Sequence, residues 1–133
     1  MNIKRYAASV IVAFIFAFLF DMIAHGHLIM PLYEATEELW RTTDEMEQFY
    51  PLSMTVQFLS VAVLTYLYTR NHEGKGIGEG IRFGVIIGLF VGIGWAGMIA
   101  YMPIPVTLAG AWFAASFIQM VGLGFLFSLI YKN

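Results

Sequence analysis

Asp21, His25 and His27, in the stretch FDMIAHGHLIM, are ionisable residues inside or at the edge of a long apolar run. A charged group in hydrocarbon is costly, so such residues mark a candidate functional site. Asp21 and His25 are four apart and share a helix face, where a carboxylate and an imidazole can hydrogen-bond, fixing the tautomer and favouring the imidazolium. His27 lies ~200° around a regular helix from His25. The two histidines can reach one metal only if Gly26 lets the helix unwind between them.

Other polar or soft groups fall at a similar level. Gln57 stands near the start of the second apolar run, and Trp95, Met98 and Met102 stand towards the end of the third. Imidazole with thioether ligands suits copper, and paired imidazoles suit zinc or haem iron, which makes His25, His27, Met98 and Met102 a candidate metal set. Methionine is also a common filler of irregular apolar cores. Three uses of the cluster stay open: a structural polar network, proton or small-ligand handling by Asp21, His25, His27 and Gln57, and a metal or haem cofactor. Gln119, with Ser116 one turn away, reads as an interhelical hydrogen-bond donor.

No catalytic residue stands out. The chain has no cysteine, which removes disulfides, thiolate metal sites and cysteine nucleophiles. The only Gly-rich loop, NHEGKGIGEG, departs from a phosphate-binding loop, because Lys75 is followed by Gly76 rather than Ser or Thr and no strand precedes it. A flexible hairpin loop is the expectation there.

The elements that must carry these groups are membrane helices. Of 133 residues, 59% are hydrophobic and 12% charged, against about 25% charged in soluble domains. Four apolar runs, at 6–30, 51–70, 80–102 and 106–131, are each long enough to cross a hydrocarbon layer ~30 Å thick. An all-α fold follows: a polytopic membrane protein with four transmembrane helices in one antiparallel bundle and no separate soluble domain. Lys4 and Arg5 precede the first run as in a signal peptide, but that run is long and closes without a small-x-small cleavage pattern, so it reads as a retained helix.

Residues 31–50 form an acidic outer segment, with Glu34, Glu37, Glu38, Asp44, Glu45 and Glu47 against Arg41. Pro31 suits a first helical turn, and Thr42 with Glu45 has capping-box spacing, so short interfacial helices are expected between helices 1 and 2. Lys4, Arg5, Arg70, Lys75, Arg82 and Lys132 all fall on one side of a four-span chain, which places both termini in the cytoplasm. Counting ~1.5 Å per residue from Tyr6 puts Asp21 ~22 Å up the span, in the outer leaflet. Tyr33, Trp40, Tyr50, Tyr68, Tyr101, Trp112 and Tyr131 fall near span ends, as interface anchors do.

Lipid removes the hydrophobic drive for helix association, so small residues at four-residue spacing must supply close packing. Gly80, Gly84, Gly88 and Gly92 form such a ridge in the third span, and Gly110 with Ala114 offers a matching surface in the fourth. These two helices should pair tightly. The alternative is that the ridge builds a homo-oligomer or docks into a larger membrane complex.

The strings HGHLIMPLYEATEELWR, GKGIGEGIRFGVIIGLFVG and MPIPVTLAGAWF resemble a group of small, functionally uncharacterised bacterial four-helix inner-membrane proteins. The resemblance covers most of the chain and implies a bacterial inner-membrane setting, with no chemistry attached. The leading expectation is a non-enzymatic bundle or accessory subunit in contact with lipid and not with nucleic acid. The alternative is ligand, metal or haem binding, or proton or small-solute handling, at the Asp21 site.

Overall fold

The computed structural model describes residues 1–131; Lys132, counted above with the basic loops, and Asn133 lie outside the described residues. Helix α1 runs Ile3–Ile23 and continues as a single π turn, Ala24–Leu28. Short helices follow at Met30–Glu34 (α2) and Thr43–Gln48 (α3), with a 3-10 turn at Glu37–Leu39 between them. Helix α4 is Tyr50–Arg70, α5 is Ile77–Gly97 with a 3-10 extension Met98–Ala100, and α6 is Val106–Ile130. All four long helices are long and apolar enough to cross a membrane. The 21 residues of α4 rise ~31 Å, about the thickness of the hydrocarbon.

Local chemistry sets the boundaries. Asn2 caps α1 by accepting the Arg5 N–H at 3.1 Å. Thr42 and Glu45 form a complete capping box, the Glu45 carboxylate taking the Thr42 N–H at 3.0 Å. Pro31 and Pro51 stand in the first turns of α2 and α4, where a missing N–H costs nothing. The Pro103–Pro105 turn ends with Pro105 as the residue before α6.

Helix α1 lies between α4 and α6, while α5 packs almost wholly on α6. Outward faces stay greasy: Ile11, Ile15, Leu59, Val63, Ile86, Phe90 and Ile118 are all exposed. Apolar patches of this extent are untenable in water and belong against lipid tails.

The α5–α6 seam is built from glycine. A Cβ on Gly80 would collide with the Gly124 carbonyl, and one on Gly84 would sit 2.5 Å from Met120 O. Gly88 and Gly92 meet Phe117 and Phe113 almost as closely, at 3.1 and 3.0 Å. The ridge is therefore filled from within the chain. Gly110 and Ala114 are a correction: both are exposed, and nothing lies within 4 Å of a Cβ at Gly110. The register of the seam turns the opposite face of α6 inward and employs Gly124 instead.

A second correction concerns the aromatics. Tyr68, Trp112 and Tyr131 are 2, 8 and 6% exposed and belong to the core, and Tyr33 and Trp40 fold back over it. Tyr101 alone of these is almost fully exposed. The bundle has two cores: Ala13, Ala17, Leu123 and Phe127 towards the basic end, and Ala24, Ile29, Leu108 and Trp112 towards the acidic end.

At the basic end Asn2, Tyr131 and the 71–76 loop are tied together. Asn2 N donates to Tyr131 Oη at 3.0 Å, and the His72 ring stands edge-on to Tyr131 with centroids 5.3 Å apart. The Glu79 carboxylate, nearly buried, accepts the N–H groups of Glu73 and Lys75 at 2.7 Å each, and His72 Nδ1 lies 3.2 Å from Glu79 Oε1. The loop expected to be a flexible hairpin is instead wound around a carboxylate, with Gly74 and Gly76 at positive φ making the bend. Lys75 and Glu73 also pair at the surface, a contact of little energetic weight.

Candidate functional site

Three spans converge on one carboxylate. Gln57 of α4 donates to Asp21 Oδ2 at 2.6 Å, and Gln119 of α6 donates to Asp21 Oδ1 at 2.8 Å. Gln119 also reaches the Ala17 carbonyl at 3.4 Å, so it does bridge helices, but onto the candidate site itself. His25 Nε2 stands 4.0 Å from Asp21 Oδ1, one turn along α1.

The line continues through residues that the sequence alone left among the anchors. Tyr33 Oη lies 2.8 Å from His25 Nδ1 and accepts the Trp112 indole N–H at 2.7 Å. An indole N–H can only donate, so the Tyr33 hydroxyl is free to give its own proton to His25 Nδ1. By that reasoning His25 carries its hydrogen on Nε2, the nitrogen facing Asp21. Burial pushes the Tyr33 phenol above its ordinary value, the Trp112 hydrogen bond opposes this, and the Asp21 charge adds to it. Tyr33 therefore stays protonated across physiological pH and remains a donor.

The local fold explains how Tyr33 arrives. At Ala24–Leu28 the helix widens, with Ile29 N bonding back five residues to Ala24 O at 2.8 Å. Helix α2 then turns back over the bundle end. Trp40 packs edge-on against both Tyr33 and Trp112, and its indole N–H is held by Thr36 Oγ1 at 3.0 Å. A lid of two aromatic residues thus closes the acidic end.

Between these groups lies a cavity of about 270 Å³ lined by Asp21, His25, Tyr33, Trp95, Trp112, Ser116 and Gln119. Its polar content is high for a membrane span, and no Lys or Arg lines it. Gln57 Oε1 is buried without a hydrogen-bond partner. The cavity thus combines one carboxylate, Asp21, with the aromatic walls of Tyr33, Trp95 and Trp112.

The other sequence candidates lie elsewhere. The hydrogen bond expected between His25 and Asp21 is not formed at 4.0 Å, and His27 is exposed and bonds to none of these groups. The π turn does open the helix at Gly26, yet His27 stays outside. Met98 and Met102 pack against the core around Trp112 and do not line the polar cavity. Among the described residues no group of three or more His, Asp or Glu side chains is placed to hold a metal ion.

Ser116 lines the cavity, but among the described residues no serine or threonine hydroxyl bonds a histidine. The arrangement suits holding a ligand or a proton more than activating a nucleophile.

Sequence spacing held one overlooked signal. Trp112, Ser116 and Gln119 lie at i, i+4 and i+7 of α6 and so share a face, which points to Trp112 once Gln119 is a candidate. No protein-family model matches the chain, and searches of curated proteins and of solved structures find no similar protein.

Proposed function

We propose that the chain is a non-enzymatic, four-span protein of a bacterial inner membrane that holds a small ligand with a positively charged head beside Asp21. One observation carries this reading: a carboxylate gripped by Gln57 and Gln119 faces a cavity walled by Tyr33, Trp95 and Trp112. A carboxylate supplies charge, and aromatic faces attract an ammonium group by ~2 kcal/mol or more when it is desolvated. The volume, about 270 Å³, admits a ligand of few heavy atoms. Lys4, Arg5, Arg70, Lys75 and Arg82 gather at one end against Arg41 at the other, which supports a cytoplasmic basic end and an outer-leaflet pocket.

Trp95 and Trp112 provide the readout. Titrating tetramethylammonium into the purified protein in phosphatidylglycerol nanodiscs should change tryptophan fluorescence saturably. Asp21→Asn, which keeps the side-chain size but removes the charge and turns one acceptor oxygen into an N–H donor, is expected to weaken binding at least ~10-fold with the helical content unchanged, a loss of about 1.4 kcal/mol. A response that is linear, or one that Asp21→Asn leaves intact, would leave the cluster as a structural network.

A further inference from the structure

A second, larger hollow adjoins the pocket. It is a groove of about 510 Å³ on α5, lined by Phe90, Val91, Ile93, Gly94, Trp95 and Met98 and almost wholly apolar. Gly94 lines its floor, and nothing lies within 4 Å of where a Cβ there would stand. Phe90 and Ile93, 79 and 63% exposed, rise beside it, on a helix long and apolar enough to span the membrane. The groove and the polar pocket share one wall, the indole of Trp95, which is half exposed and meets Trp112 edge-on at 5.7 Å.

Resting on the proposed reading of the pocket, we infer that its ligand is a membrane amphiphile, an alkylammonium whose head sits against Asp21 and whose hydrocarbon tail lies along the Gly94 groove. Three observations select this occupant. The groove is almost wholly apolar, so hydrocarbon gains most by filling it. It opens on the lipid-facing side of a span, where alkyl chains are the surrounding solvent. It meets, at Trp95, a pocket that holds the Asp21 carboxylate and no Lys or Arg, so charge complementarity favours a cationic head. A molecule with both parts satisfies both hollows at once.

The test compares tetramethylammonium, which is head alone, with dodecyltrimethylammonium, which carries the tail. Both are titrated in phosphatidylglycerol nanodiscs, because choline headgroups would compete. Gly94→Leu fills the groove without touching the pocket, and Phe90→Ala removes one of its walls. Each variant should weaken dodecyltrimethylammonium binding ~10-fold and leave tetramethylammonium binding unchanged, which also reports that the pocket is folded. Loss of both probes, or of neither, overturns the tail assignment. Dodecyltrimethylammonium binding that ignores Asp21→Asn would sink the head-group reading instead.

Discussion

Gly84→Leu is expected to cost about 3 kcal/mol or more of bundle stability, the upper end of what overpacking does. The reason is the identity of the obstacles. A Cβ at Gly84 would stand 2.5 Å from Met120 O and 2.7 Å from Val121 Cα, backbone atoms that cannot swing aside. The helices must separate, and with them the close van der Waals contact that lipid cannot replace. Gly94→Leu is the internal control, because no atom lies within 4 Å of its Cβ position. Unfolding in a mixed-detergent titration should show Gly84→Leu melting well before the parent and Gly94→Leu beside it. Equal stability of Gly84→Leu and the parent would mean that α5 and α6 do not meet along this face.

Glu79→Ala should be nearly as damaging, at about 3 kcal/mol, because two N–H groups lose a charged acceptor. Its carboxylate is the acceptor for two loop N–H groups and the partner of a buried imidazole, and an alanine supplies neither. The N–H groups of Glu73 and Lys75 would then lose their acceptor, and the 71–76 loop would open. Glu79→Gln should recover part of the loss, since an amide oxygen still accepts one N–H. Limited proteolysis within the loop reads the effect directly. Glu79→Ala with a loop as resistant as the parent's would remove the clasp from the account.

Much of this structure is written in local patterns. Four apolar runs are each long enough to cross the hydrocarbon, and Pro31, Pro51 and Pro105 stand at helix beginnings because proline forfeits nothing there. The Thr42 and Glu45 spacing is a capping box in both sequence and structure. Glycine every fourth residue from Gly80 reads as a close-packing ridge, and α6 fills it. Gln57, near the start of the second span, falls at a level similar to that of Asp21, and the two hydrogen-bond.

What could not be read depends on contacts distant along the chain. Tyr33 reaches His25 only because a π turn at Ala24–Leu28 redirects α2, and one extra residue per turn leaves no periodic trace. Trp112 looked like an anchor because tryptophan at a span end usually is one. Its burial follows from the fold-back of Tyr33 and Trp40 over the bundle end. His72 and Glu79 sat in a glycine-rich stretch whose composition reads as slack, and the carboxylate that organises it lies three residues beyond Gly76, inside α5.

Everything assigned to the pocket presumes that the acidic segment and the 71–76 loop lie on opposite faces of a bilayer. The chain contains no cysteine, so a single introduced thiol reports cleanly. Glu47 and Glu73 are both exposed, one at each end of the bundle. In intact spheroplasts a membrane-impermeant maleimide should label Glu47→Cys and leave Glu73→Cys untouched until the membrane is permeabilised. Labelling of both from the same side would contradict the four-span account.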